Sequence, residues 1–227
     1  SNCTIFLSGK IDDSMIKRLE SDLLPRIPSG ESRNKKFTQK TSSDKHTVIK
    51  RQNALQTAVR VGCRLFNRTH SDFNDLYFLN IILGDYFSSR LMMNIREDKG
   101  YTYNIYSMMD IMRHDGMLII GTETDNKYVE PTLKEIGIEF DKLRTDLISE
   151  QEMNMARNYT LGTFLSALDG PFNTIDVIKT MVLNDVDMTF LETLIERIRH
   201  IESKDLRDIA GKYLQMENMH TVLVGNL

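Results

Sequence analysis

Arg96 and Tyr103 are the residues of this sequence whose types and spacing could do chemistry. They stand seven positions apart, Arg96 near the end of a predicted helix and Tyr103 at the start of a predicted strand. A helix end and the strand after it can aim two side chains at one cleft. A guanidinium offers five N–H donors and a phenol one O–H, so the pair suits an anionic or carbonyl oxygen. The alternative is a solvated arginine and an ordinary sheet tyrosine.

The segments around this pair predict the elements that would position it. The Ser88-Ser89 pair is typical of a helix start, and the helix would run through Arg96 to Gly100, a typical helix end. The next strand would form a hairpin with the segment from 116 to 124. By strand alternation, we expect Tyr101 to lie on the same face as Tyr103 and to line the same wall.

The pattern L-G-x-x-x-S-S-R-L-x-x-x-I-R-E-x-K-G-x-x-Y, from Leu83 to Tyr103, resembles the signature of one peptidase family. It is similar to the second, non-zinc domain of the pitrilysin/insulinase-type metallopeptidases. The similarity extends over most of the chain, to the closing segment Val222–Gly225. Asp85 and Tyr86 depart from the pattern, because members of this family often carry glycines there.

The resemblance implies a role for each candidate residue. Arg96 and Tyr103 would be catalytic and would bind the carbonyl of the scissile peptide bond, with Tyr101 as a further substrate-binding residue. The zinc would lie on a partner domain with the motif H-x-x-E-H, in the same longer chain or in a separate subunit. The substrate would be an extended peptide.

The histidines of this sequence do not form a zinc motif. None has H-x-x-E-H or H-E-x-x-H spacing, and no two lie three or four positions apart. We therefore expect no metal and no cofactor in this chain, and no peptidase activity from it alone. The histidines are His46, His70, His114, His200 and His220.

Length and composition are typical of a globular protein. The chain has 227 residues, 41% of them apolar, which is enough for a core. The net charge of −3 gives no reason to expect nucleic acid as a partner. No run approaches the ~18 apolar residues of a membrane span, so we expect a soluble protein of the bacterial cytoplasm or periplasm. A start at Ser1-Asn2 indicates a piece cut from a longer protein, and we interpret residues 1–227 as one domain.

The order of predicted elements indicates an α+β fold, a mostly antiparallel sheet covered by helices. Asp72 or Ser71 would cap an apolar helix that ends at Gly84, and Ser149 would open a long helix through a capping box. Helices would follow near 172–184, 188–201 and 204–215, the last capped by Ser203. Strands would include 54–65 and 221–224.

The beginning of the chain is predicted to form a strand, Thr4–Leu7, followed by a helix capped at Asp12 or Asp13. The first strand resembles the last, Thr221–Val224, which fits either a repeat or a coincidence. Cys3 and Cys63 would be buried free thiols in strands, or would form a disulfide if their Cβ atoms lie close together. The stretch 31–51 is rich in Lys and Arg, and would be a solvated connection or a phosphate-binding patch.

Two functions fit these features. The first is the non-zinc domain of a zinc metallopeptidase, which closes over the active site and supplies Arg96 and Tyr103. The second is a catalytically inactive relative that serves as a scaffold or assembly subunit. The presence of both Arg96 and Tyr103 favours the first function.

Overall fold

The structure is a computed structural model that describes residues 3–28, 30 and 42–227. Within these ranges the chain forms one five-stranded sheet with the order β1-β5-β2-β4-β3. β1 pairs with β5 in parallel, and the other pairings are antiparallel. The predicted α+β class is therefore confirmed. The strands are β1 (His46–Lys50), β2 (Gln56–Leu65), β3 (Thr102–Ile111), β4 (Gly116–Asp125) and β5 (His220–Gly225).

Helices cover one face of the sheet. No helix in the described ranges is long and apolar enough to cross a membrane. A π-helix, Met92–Asp98, precedes β3. The α-helices are α1 (Asp13–Arg18), α2 (Phe73–Gly84), α3 (Val129–Thr145), α4 (Glu150–Ala167), α5 (Gly170–Leu183), α6 (Met188–His200) and α7 (Ser203–Tyr213).

Helix α2 is the centre of the core. It lies between β3 and the outer helices α4, α6 and α7. Phe78, Leu79 and Ile82 are completely buried, and nearly every other residue of α2 is buried too. A helix that is apolar around its whole circumference has to be covered on all sides. The strongly apolar sequence of α2 therefore decides where the sheet and the outer helices pack.

Several predicted elements are confirmed. Strand β2 matches the predicted segment, with Val59 and Val61 completely buried. β3 and β4 form the predicted hairpin, whose turn is closed by a hydrogen bond from Met112 N to Asp115 O of 2.8 Å. The hydroxyl of Ser149 accepts a hydrogen bond from Glu152 N at the start of α4, which is half of the predicted capping box, and the Glu152 carboxylate bonds Arg90 instead. These elements follow from local patterns that tertiary packing does not override.

Helix α2 ends at Gly84 as predicted, but this glycine is not the C′ residue that its place at the helix end suggests. Gly84 is the last helical residue, and its φ is not positive. A Cβ atom at this position would lie 2.5 Å from the backbone nitrogen of Ser107 on β3. The glycine is therefore needed for the close approach of α2 to β3.

Two predicted helix caps are wrong. The side chains of Ser88 and Ser89 do not cap the helix that follows, and Ser89 is buried. The cap of α7 is Glu202, which forms a capping box with Asp205. The hydroxyl of Ser203 instead accepts a hydrogen bond from Ile148 N, which joins α7 to the start of α4. A tertiary contact thus replaces local capping at Ser203, whereas the buried Ser89 hydroxyl has no hydrogen-bond partner among the described residues.

The predicted strand Thr4–Leu7 does not form, although α1 begins at its predicted cap, with Asp12 accepting from Met15 N. The sheet position beside β5 is occupied by β1, so this segment has no free edge there. The sequence similarity between Thr4–Leu7 and the last strand therefore does not correspond to two equivalent strands in the structure. Cys3 is exposed, against the prediction, and Cys63 is half-buried.

The basic stretch 31–51 lies only partly in the described ranges. Residues 31–41 fall outside them, so the predicted connection or phosphate-binding patch stays a prediction there. The strand expected near 47–49 is confirmed as β1.

Replacement of Gly84 by alanine should destabilise the protein. We expect Gly84→Ala to lower the free energy of unfolding by about 1–3 kcal/mol, since the new Cβ overpacks the contact with Ser107. Urea denaturation monitored by circular dichroism measures this change.

Gly162→Ala in α4 is the matched control. A Cβ at Gly162 meets no atom within 4 Å, so this change should stabilise the helix by roughly 0.5–1 kcal/mol. Equal effects of the two substitutions would show that the close approach at Gly84 is unimportant.

Candidate functional site

The π-helix Met92–Asp98 carries Arg96 to the edge of the sheet. Met92 and Ile95 anchor this helix in the core. It ends with Gly100 at φ +65°, and Tyr101 N donates to Ile95 O at 3.0 Å. Glycine takes this left-handed conformation without a steric penalty, so the predicted role of Gly100 as helix end is confirmed. π-Helical turns are rare and are frequent at functional sites.

The guanidinium of Arg96 is half-exposed and weakly engaged. Its Nε lies 3.4 Å from Glu97 Oε1, and its Cζ lies 5.1 Å from the centre of the Phe87 ring. Among the described residues, none accepts a hydrogen bond from Arg96 in good geometry. The group is thus oriented by an acidic neighbour and an aromatic ring, and its donors stay free for another acceptor.

A β-bulge turns Tyr103 outward at the start of β3. Thr102 pairs with Thr124 and Ile105 pairs with Thr122, so β3 holds one extra residue here. The Tyr103 side chain is 87% exposed, while Thr102 beside it is buried. Bulges re-aim side chains and are common next to active sites. The bulge therefore removes Tyr103 from the packed sheet and presents its hydroxyl to solvent.

Threonine hydroxyls hold the bulge from the inside. Thr102 Oγ1 donates to the carbonyl of Glu123 at 2.7 Å and accepts from Asn104 N at 3.2 Å. Thr122 Oγ1 lies 2.8 Å from the carbonyl of Asn104, and Thr124 Oγ1 bonds the carbonyl of Tyr101. Sequence reasoning missed these residues, although threonine at buried positions of an apolar strand is a signal that backbone groups there need partners.

Tyr101 reaches the site in a different way from the one expected. It precedes β3, so strand alternation does not apply to it. Its ring stacks on Tyr128 with 4.7 Å between centroids, and it packs against the core. Tyr101 is therefore a fixed wall residue, and Tyr128 is a second wall residue that the sequence did not reveal.

These side chains meet in one open concavity of about 450 Å³ at the start of β3. Arg96, Tyr101 and Tyr103 all line it, and so does the carboxylate-bearing Asp125. The arrangement offers a guanidinium and a phenol beside a rigid aromatic wall. It can bind a carbonyl or anionic oxygen, but the described residues supply no metal. The other lining residues are Leu55, Gln56, Glu97, Gly100, Thr102 and Tyr128.

Zinc does not fit the described part of this chain. No three His, Cys, Asp or Glu side chains in these ranges are close enough together to hold a metal ion. Structural and catalytic zinc sites need at least three protein ligands. The described residues of the concavity therefore offer hydrogen-bond donors and no zinc ligand set.

The described part of the chain is a helix-covered α+β domain that holds no three-residue metal group. A family model described as the peptidase M16 inactive domain matches residues 1–160. The chain belongs to this family, and the resemblance to zinc metallopeptidases is confirmed.

Relatives and solved structures agree with this assignment. An uncharacterized zinc protease of Bacillus subtilis, YmxG, is 26% identical over 93% of this chain and 50% of its own length. A Helicobacter pylori protein named non-peptidase homolog YmxG is 23% identical over 98% of the chain and 51% of its own. The peptidase M16 inactive domain of Pseudomonas fluorescens superposes with a TM-score of 0.81 at 21% identity, covering 96% of this chain and 52% of the other. The chain thus spans about half the length of the curated relatives it matches.

Removal of the Thr102 hydroxyl should destabilise the bulge. We expect Thr102→Val to lower the free energy of unfolding by about 1–3 kcal/mol, because Asn104 N and the Glu123 carbonyl lose a buried partner. Hydrogen exchange at the Asn104 amide should become faster. Thr193→Val, on an exposed face of α6, is the control and should have little effect. An unchanged amide exchange rate in Thr102→Val would contradict this account of the bulge.

The chain alone should not retain zinc after dialysis, since its described residues lack a three-ligand group. Metal analysis by inductively coupled plasma mass spectrometry measures this. A result of about one zinc per chain would overturn the expectation.

Proposed function

We propose that this chain is the non-zinc half of a zinc metallopeptidase, in which Arg96 and Tyr103 hold the carbonyl group of the peptide bond that is cut. One observation carries the proposal. The two donors line one open concavity, and within the described ranges neither has a side-chain hydrogen bond to the protein. A guanidinium and a phenol that contribute so little to the fold are available for a substrate.

Each donor has a separate part in this proposal. As the carbonyl carbon is attacked, negative charge develops on its oxygen, and hydrogen bonds to that oxygen strengthen. The Tyr103 hydroxyl would donate one bond and the Arg96 guanidinium would supply positive charge and further N–H groups. Donors of this kind stabilise a transition state by about 2.7–4 kcal/mol each. The zinc would belong to the partner half, from the same longer chain or from another subunit.

The position of β3 supports an extended peptide as substrate. β3 is an edge strand of the described sheet, and Tyr103 lies at its beginning. An exposed edge can accept a peptide as an added strand, whose backbone then runs past the neighbouring side chains. A peptide bound in this way would bring its carbonyl groups past Tyr103 and Arg96.

A second function is a scaffold or assembly subunit without catalysis. One relative carries the name non-peptidase homolog, so chains of this kind include inactive members. Asp85 and Tyr86 also stand where members of the family often carry glycines. In this case Arg96 and Tyr103 would bind a partner protein and not a substrate.

Removal of the Tyr103 hydroxyl should impair catalysis by the assembled peptidase. In a complex with its zinc-binding half, we expect Tyr103→Phe to lower kcat and kcat/KM together by about 10²–10³-fold. Zinc content and folding should not change, because the ring is exposed and keeps its carbon atoms. Arg96→Lys should also lower kcat, since an ammonium cannot reproduce the planar guanidinium.

Tyr159→Phe on α4 is the matched control, because its hydroxyl makes only a 3.4 Å contact to the carbonyl of Asp85. It should leave kcat within about twofold of the wild type. If Tyr103→Phe also stays within about twofold of an active wild type, Tyr103 is only a sheet residue. If the complex assembles but the wild type hydrolyses no peptide, the scaffold function is favoured.

A further inference from the structure

A second concavity lies between helices α2, α4, α5 and α6, and it shares no lining residue with the Arg96 site. Its volume is about 620 Å³, within the range of roughly 300–1,000 Å³ that is usual for small-molecule sites. Its walls are mostly apolar. They include Tyr77, Phe164, Val177, Met181, Phe190 and Leu194.

The guanidinium of Arg68 is the unusual group in this apolar wall. Its Nε is enclosed, and it has no hydrogen-bond partner in the described part of the chain. Its Cζ lies 5.5 Å from the centre of the Phe73 ring. Burial lowers the pKa of Arg68, the direction expected for a charge removed from water without an anionic partner.

Other partly buried arginines of this chain are paired. Arg90 makes two bonds to Glu152, and Arg197 makes two bonds to Asp75. Arg157 donates to the carbonyl groups of Ile198 and Ile201. Buried charges are normally paired in this way, because an unpaired one costs free energy. Arg68 departs from this pattern.

No anion of the cavity wall compensates Arg68. Asp176 lines the same cavity, but its carboxylate bonds Lys179 on the exposed side of α5. The Tyr77 hydroxyl is a polar group near Arg68, and burial raises the pKa of Tyr77 to about 12. Tyr77 therefore stays protonated near neutral pH and can donate a hydrogen bond.

We propose that this cavity binds a medium-chain carboxylate, with its alkyl chain between α4, α5 and α6 and its carboxylate on the guanidinium of Arg68. Arg68 would supply the positive charge and N–H donors that a carboxylate requires, and Tyr77 would donate a further hydrogen bond. The apolar walls would cover the alkyl chain. Each methylene group that is removed from water makes binding more favourable. Charge complementarity selects an anionic amphiphile over a neutral one.

Calorimetric titration of the complete chain with decanoate, below its micelle concentration, tests this site. Decan-1-ol and decyltrimethylammonium provide the same tail with a neutral and a cationic head. We expect saturable binding of decanoate, at least about tenfold tighter than that of either control ligand. Decanoate should also raise the melting temperature of the protein.

Two variants separate the carboxylate from the alkyl chain. Arg68→Gln should weaken decanoate binding by about tenfold or more and should not lower the melting temperature of the ligand-free protein. Val177→Trp should fill the cavity and abolish binding while Arg68 remains. Arg207→Gln removes the same charge from a half-exposed position on α7, beside Asp208, and should leave the affinity unchanged.

The opposite results would overturn the proposal. They are a wild type that does not bind decanoate at millimolar concentration, or equal binding of decan-1-ol and decanoate. A lowered melting temperature in Arg68→Gln with unchanged decanoate affinity would assign Arg68 to packing over Phe73. If Arg68→Gln does not fold, the decision rests on Val177→Trp and the three ligands. Unchanged binding to Val177→Trp would then place decanoate elsewhere.

Discussion

The contact between α2 and β3 is the constraint on which the rest of the structure depends. The backbone of Ser107 lies where a side chain at Gly84 would begin, and the hydroxyl of Ser107 donates to the carbonyl of Asn80 at 3.1 Å. The π-helix with Arg96 follows α2 in the chain, and β3 carries Tyr103. This contact therefore sets the separation of the two elements from which the candidate site is built.

At this site the side chains that stabilise the β-bulge differ from the side chains that the proposed function uses. The hydroxyls of Thr102, Thr122 and Thr124 are buried and bond backbone groups of the bulge. Arg96 and Tyr103 point the other way, and the fold gains little from their polar atoms. Because donors held in place need no reorganisation when a substrate arrives, this division suits a site that stabilises developing charge.

Local patterns in the sequence predicted most of the fold, and tertiary contacts explain the errors. Helix α2 and the hairpin could be predicted from the sequence, because the apolar run and the turn residues that mark them are local patterns. The role of Gly84 was not readable, because Ser107 meets it only after long-range packing. Arg96 and Tyr103 were found through their spacing and the family resemblance. The bulge was not, since no turn residue marks it.

Arg68 and Arg96 show that the cost of an unpaired guanidinium depends on its exposure. Arg96 is half-exposed, so water solvates it and it can remain without a strong partner at little cost. Arg68 has an enclosed Nε and a pKa lowered by burial, so its unpaired state carries a desolvation penalty. An anion bound at the guanidinium would remove this penalty and stabilise the folded state. The proposed Arg96 site therefore costs little when it is empty, whereas the proposed Arg68 site would be more stable with its carboxylate bound.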